Sequence, residues 1–235
     1  MISTKKWGIS AICLLVAVFG VIAAAMIIVD PYFHFHAPLE GLAYPITNER
    51  YQNNGILKNF EYDGIITGTS MTENFRTSEF DGLFDANSVK VSFAGSYLRE
   101  TTEQIEVALK HNDELKYVLR SLDFYAVYTH KDNISDYEYP SYLYDEIWYN
   151  DFSYIFNKSI TIDSLKNVLE YTKQGKETTS FDDYAYWSDN YIYGKEELLR
   201  KYERKDKTES PFKSGDLDDV RENMEQNVIR LAREY

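Results

Sequence analysis

Cysteine is all but missing: Cys13 is the single one in 235 residues. It lies inside an N-terminal apolar run, so the rest of the chain can form no intrachain disulfide, cysteine-ligated zinc site or cysteine nucleophile. Its context, Ser10-Ala11-Ile12-Cys13 followed by further apolar residues, differs from that of a lipidated cysteine and reads as a small membrane-embedded residue. Basic residues are also scarce, 25 against 38 acidic ones, and the resulting net charge of −13 repels a phosphate backbone. Nucleic acid is therefore excluded as a partner. Five prolines and eleven glycines are too few for a collagen-like or linker-like chain. Only four histidines occur, His34, His36, His111 and His130. The first two have no cysteine or carboxylate at ligand spacing, so neither a metal nor a cofactor is expected. What the chain does have is 44% apolar residues and 37 aromatics, 21 of them tyrosine, enough to bury the core of one domain.

Residues 7–29 carry no charge. As a helix they span about 35 Å, against a hydrocarbon core of about 30 Å. Ala23-Ala24-Ala25 would suit a cleavage site, but apolar residues continue to Val29 and the run exceeds the apolar region of a signal peptide, so the expectation is a retained anchor. Lys5 and Lys6 precede it and the next basic residue is Arg50. By the positive-inside rule residues 1–6 stay in the cytoplasm and residues 30–235 face outward, which makes the membrane the first expected partner.

Asp30-Pro31 ends the span, because the residue before proline disfavours helix. Residues 30–60 read as an irregular membrane-proximal neck. Three short apolar runs then follow, over 64–68, 89–94 and 116–122, with a helix over 101–111 suggested by the capping-box spacing of Thr101 and Gln104. Strand, turn, strand, helix, strand predicts an α/β sheet with parallel strands, whose ligand crevice lies beyond the carboxyl ends. Ser70, Gly95 and Asp123 fall on that rim. Residues 124–215 are Tyr-rich and read as an insertion or cap, with helices over 163–173 and 196–204 and a polar connector over 205–215. From Asp216 an amphipathic helix is expected, with Leu217, Val220, Met224, Val228 and Leu231 on its apolar face.

A serine at the tip of a strand-to-helix turn suits a nucleophile, although Gly68-Thr69-Ser70 is followed by Met71-Thr72 and lacks the G-x-S-x-G elbow. A turn serine that merely caps a helix is the plainer reading. The stretch from Gly68 to Phe75, Ser92-Phe93-Ala94-Gly95-Ser96-Tyr97 and Leu119 to Tyr125 together resemble membrane-anchored SGNH-type (GDSL-like) hydrolase-fold proteins. Asp30-Pro31-Tyr32-Phe33 and Tyr142-Leu143-Tyr144-Asp145 resemble a clostridial branch of that group. The resemblance implies a three-layer α/β/α domain over 61–235 with a mostly parallel sheet, and a role akin to esterases and acyltransferases of cell-envelope polymers, a cell-wall polysaccharide or a teichoic-acid-like chain. It also implies Ser70 as nucleophile and oxyanion donor, Gly95 as second donor, and Asp123 where the group has an asparagine. The group's C-terminal D-x-x-H segment has no counterpart among these residues, and its last strand is missing with it. Two expectations stay open: an acyl-transfer enzyme whose base is supplied elsewhere, and a non-catalytic binding or assembly protein of the same fold.

Overall fold

The computed structural model describes residues 4–135, 139–145, 147, 149–183, 194–196, 199–200 and 217–235. In chain order the elements are α1 (Thr4–Val29), α2 (Glu49–Asn59), β1 (Gly64–Thr67), α3 (Ser70–Glu73), α4 (Thr77–Phe84), β2 (Ser88–Lys90), α5 (Leu98–His111), β3 (Tyr117–Arg120), α6 (Phe124–Val127), a 3-10 turn (Ser141–Leu143), α7 (Phe152–Ile155) and α8 (Lys158–Lys173). The last stretch is α9 (Leu217–Met224), a π turn (Glu225–Ile229) and α10 (Arg230–Glu234). The expected helix over 196–204 and connector over 205–215 fall largely or wholly outside the described residues. Two compact units result, Met1–Phe60 with Pro140–Thr179 and Glu61–Tyr139 with Ser180–Tyr235. Residues 140–179 thus fold with α1 and residues 30–60.

In the first unit, Lys6–Val29 is one helix long and apolar enough to cross a membrane. It ends where Asp30 turns to a left-handed φ of 43°, a conformation that aspartate tolerates better than most residues. The Asp30 carboxylate then gathers the next turn, accepting from the amides of His34 at 3.0 Å, Phe35 at 2.6 Å and His36 at 3.0 Å, and from the Tyr154 hydroxyl at 2.9 Å. The neck is not irregular throughout, which corrects the sequence reading: α2 occupies Glu49–Asn59, and its Gln52, Asn53, Asn54 and Gly55 are buried. Asparagine and glycine are weak helix formers and give no apolar stripe, so this helix is held by tertiary bonds. Gln52 Oε1 accepts from the amides of Thr47 and Asn48, both at 3.0 Å, while its Nε2 donates to the Pro45 carbonyl at 2.9 Å. The core of the unit joins Met26, Tyr32, Tyr51, Leu143, Tyr154, Ile155 and Ile160. The helix expected over 163–173 starts earlier, at Lys158, where the Thr161 hydroxyl donates to the carbonyls of Ile155 and Asn157.

The second unit is built on a parallel three-stranded sheet in the order β2-β1-β3, on the three predicted runs. The strands are shorter than expected, and β1 ends at Thr67, where Gly68, at φ 151°, turns the chain out of the sheet. Hydrogen bonding still runs on past β2, from Val91 N to Ile66 O at 2.8 Å and Phe93 N to Gly68 O at 3.1 Å. Side chains alternate across the sheet. Ile66, Lys90 and Leu119 share a register row on the face where Phe80 of α4 lies against Gly64. On the opposite face the Thr67 hydroxyl donates to Gln104 Oε1 of α5 at 2.6 Å.

Two local expectations hold only in part here. Helix α5 begins at Leu98, not Thr101, because the Glu100 carboxylate accepts the Tyr97 amide at 2.7 Å. The C-terminal helix follows its expected stripe only in part: Leu231 is buried and Val220, Met224 and Val228 are half-buried, but Leu217 is exposed and the most deeply buried side chains are Asn223 and Asn227. Asn223 Nδ2 donates to the carbonyls of Ala126, Val127 and Thr129, and Asn227 Nδ2 to that of Lys131. The π turn frees the Asn227 carbonyl, which accepts from Arg120 Nη1 at 2.6 Å and the Thr102 hydroxyl at 2.7 Å. The Arg120 guanidinium also donates to the Leu98 carbonyl and the Thr101 hydroxyl. Burial pulls its pKa down to about 10, so it remains cationic at neutral pH.

Candidate functional site

The three strands are parallel, so their carboxyl ends share one edge, and the chain leaves that edge through Gly68-Thr69-Ser70, Ser92–Ser96 and Ser121–Asp123. Each exit is tied to its neighbours through hydroxyls. Thr69 Oγ1 donates to Asp123 Oδ2 at 2.6 Å and Ser121 Oγ donates to the same oxygen at 2.7 Å, while the Thr69 amide donates to Ser121 Oγ at 3.3 Å. These bonds lock the β1 exit to the β3 exit. Toward β2, Thr72 Oγ1 donates to Ser92 Oγ at 2.7 Å and Ser96 Oγ to the Gly68 carbonyl at 3.0 Å.

Within this lattice Ser70 opens α3, and Thr69 caps that short helix by accepting the Met71 amide at 3.3 Å. The capping duty that a turn serine usually has therefore falls to Thr69. Ser70 is half-buried, and its hydroxyl has no hydrogen-bond partner among the described residues. Its carbonyl accepts from Asn74 Nδ2 at 3.4 Å. Gly95 is exposed at φ 72°, a left-handed conformation that favours glycine. Asp123 faces two hydroxyl donors through Oδ2, so that oxygen acts as an acceptor and fixes the turn. An asparagine there would instead offer two N–H donors.

The spacing arguments did not single out Thr69, Thr72, Ser92, Ser96 and Ser121, although all but Ser121 lie beside Ser70 or Gly95 in short motifs. Lys90 was missed as well. Fully buried, it donates from Nζ to the carbonyls of Glu73 at 2.6 Å and Phe75 at 2.9 Å and so holds the far end of α3. It shares the polar parity of Ser88 and Ser92, opposite Val89, Val91 and Phe93, and a charge there reads as outward-facing until the helix covering that face is known.

None of the four histidines bonds to Ser70. The His34 ring lies 3.3 Å from the Asp151 carboxylate, and burial, outweighing Asp151, lowers its pKa. His36 bonds the carbonyls of Ala37 and Ile27. Exposed His130 accepts the Asp132 amide at 3.3 Å, and His111 sits at the end of α5. Among the described residues no three His, Cys, Asp or Glu side chains cluster as metal ligands.

Gly68 is the pivot of the lattice. A Cβ there would overlap Ser121 Oγ and stand 2.8 Å from Thr72 Oγ1. Because the obstacles are side-chain hydroxyls that can rotate, Gly68→Ala is expected to weaken the rim rather than prevent folding, by roughly 2–4 kcal/mol from crowding and backbone strain. Denaturant unfolding measures the loss, and amide exchange at Thr69 and Ser121 should rise with it. Unchanged protection at both amides would contradict the role given to Gly68.

No family model, curated protein or solved structure matches this chain.

Proposed function

We propose that the chain is a membrane-anchored, extracytoplasmic SGNH-like protein whose Ser70 rim takes up acyl groups from, or passes them to, a cell-envelope polymer. Ser70 is the nucleophile in this reading. The amides of Ser70 and Gly95 face the oxygen on which charge develops. The observation that carries the reading is the Ser70 hydroxyl, without a hydrogen-bond partner among the described residues and held at the carboxyl end of β1 by a turn bonded to both neighbouring strands. A nucleophile needs such fixed placement, and a capping serine would have spent its hydroxyl on the helix. Helices α4 and α5 on opposite faces of the sheet support a three-layer arrangement. An apolar cavity of about 330 Å³, floored by Ile66 and Leu119 and sharing Asn74 with the Ser70 turn, is of a size for one small apolar moiety. Lys5 and Lys6 support the outward orientation.

A second reading, a binding or assembly protein of the same fold, is favoured by the lack of a side chain bonded to the Ser70 hydroxyl among the described residues and by the acceptor role of Asp123. A fluorophosphonate probe and an activated acetyl ester, applied to the full chain in nanodiscs, separate the two. Acyl chemistry predicts slow, near-stoichiometric modification of Ser70, abolished in Ser70→Ala. Turnover should be low, since general acid–base help is typically worth about 10² to 10⁴ in rate. A chain left unmodified, or modified equally in Ser70→Ala, would leave the binding reading in its place.

A further inference from the structure

The ring of Phe156, just past α7, meets that of Phe19 on α1, centroids 5.7 Å apart and edge to face. That contact fixes a depth. Counted from Trp7, beside the lysines that mark one membrane surface, a core of about 30 Å ends near Ile27. Phe19 lies about 18 Å along it, so its Cα is roughly 12 Å inside the far boundary. Helical side chains lean toward the N-terminus, so its ring lies no shallower. Residues packed on Phe19 therefore sit among lipid chains.

We propose that the turn Phe152–Phe156 is a lipid-inserted wedge that enters the leaflet nearer Asp30 alongside α1, its partner being the acyl chains of the bilayer. Phe152 and Phe156 stack at 6.2 Å with ring planes 12° apart and are 54% and 41% exposed, a paired apolar surface continuous with the uncovered side of α1. Much of the backbone fits that setting independently. The amides of Ser153, Tyr154, Ile155 and Phe156 all bond within the turn, to the carbonyls of Asn150, Asp151 and Phe152, and the Thr161 hydroxyl covers the carbonyls of Ile155 and Asn157. Backbone in hydrocarbon has no water to bond and must be satisfied internally. Tyr154 and Ile155, between the two phenylalanines, face the core of the unit with Met26, so the wedge is braced from behind.

The proposal rests on α1 spanning the bilayer, and the test separates the two. Single cysteines are placed in a Cys13→Ala background of the full chain by Phe152→Cys, Phe156→Cys, Asn167→Cys on the exposed side of α8, and Val16→Cys on α1. In phosphatidylcholine vesicles, a charged maleimide should label position 167 readily and positions 152, 156 and 16 at least tenfold more slowly, with all four reacting in detergent-denatured protein. Phosphatidylcholine carrying a nitroxide near the top of its acyl chain should quench a bimane at 156 several-fold more than one at 167. Labelling of 152 and 156 at the rate of 167, with 16 protected, overturns the wedge and leaves the anchor. So does a bimane at 156 that is quenched no more than at 167. Labelling of 16 at the rate of 167 removes the anchor, and the wedge with it.

Discussion

Gly55→Ala is expected to destabilise the first unit by roughly 2–4 kcal/mol, although alanine is by far the better helix former. In an exposed helix interior this exchange gains about 0.5–1 kcal/mol, through lower backbone entropy in the unfolded chain. Gly55 lies in mid-α2, and there a Cβ would overlap the carbonyl oxygens of both Tyr32 and Phe33. Both obstacles are backbone, in the segment that Asp30 holds, so neither rotates aside. The helix would have to lift from the 32–33 turn, loosening the bond from Asn59 Nδ2 to the Phe33 carbonyl at 2.7 Å and that from Gln52 Nε2 to the Pro31 carbonyl at 3.4 Å. Gly82 of α4 is the internal control, since nothing lies within 4 Å of its would-be Cβ. Gly82→Ala should be neutral or slightly stabilising. Thermal unfolding of the two variants beside the parent checks this, and a Gly55→Ala protein as stable as the parent would show that α2 does not touch the turn.

Asp30→Ala should have a comparable or larger effect, roughly 3–5 kcal/mol, because it strips one buried acceptor from three part-buried amides and the buried Tyr154 hydroxyl at once. Burial of Asp30 raises its pKa, while the amides of Phe35, His36 and His34 and the Tyr154 hydroxyl pull it back. Without the carboxylate those amides lose the one acceptor that gathers them. Alanine also fits the left-handed backbone at φ 43° poorly. Asp30→Asn separates the two contributions, since asparagine tolerates that backbone but points an NH₂ at groups that are themselves donors. Its loss should be intermediate. Hydrogen exchange reads the effect locally: the amides of His34, Phe35 and His36 are protected in the parent and exchange at near-loop rates in Asp30→Ala. Protection retained in that variant would mean the turn is held by something other than Asp30. Tyr154→Phe removes one donor from Asp30 and the acceptor of the Tyr32 amide at 3.2 Å, for a smaller loss of roughly 1–3 kcal/mol.

The parts of the fold that were legible in the sequence are those whose signal is local and repetitive. An uncharged run of residues 7–29 reads directly as one helix long and apolar enough to cross a membrane, because both length and hydropathy belong to consecutive residues. The runs around Ile65, Val89 and Val118 are apolar beyond what a surface segment carries, and the turn residues after them, Gly68 and Gly95, announce where each strand stops. Ser70, Gly95 and Asp123 could be placed on one edge from this alone, since parallel strands put all their exits on the same side. The helix at 49–59 was not legible, because its buried face is made of Gln52, Asn53, Asn54 and Gly55, and polar residues on a buried face look like loop until their partners are known. The same holds for the last helix. Its apolar stripe marked the contact side, with Leu231 buried and Val220, Met224 and Val228 half-buried, but it gave no sign of Asn223 and Asn227, which are buried there because they satisfy the carbonyls of residues 126–131 beside the π turn that receives Arg120.

By itself, then, the sequence determined the long apolar N-terminal helix, the parallel α/β character of the sheet and the edge on which the candidate serine stands, because each follows from hydropathy period and chain direction, properties carried by neighbouring residues. Only the tertiary structure decided which hydroxyls lock that edge, that Asp123 serves there as an acceptor, that Asp30 organises the turn beyond the apolar helix, and that residues 140–179 fold with that helix. Those outcomes depend on pairs such as Thr69 with Asp123, Asp30 with Tyr154 and Phe19 with Phe156, tens to more than a hundred positions apart. A hydrogen bond or a ring contact depends on distance and angle in space, and neither is encoded by the type of one residue or by the period of its neighbours.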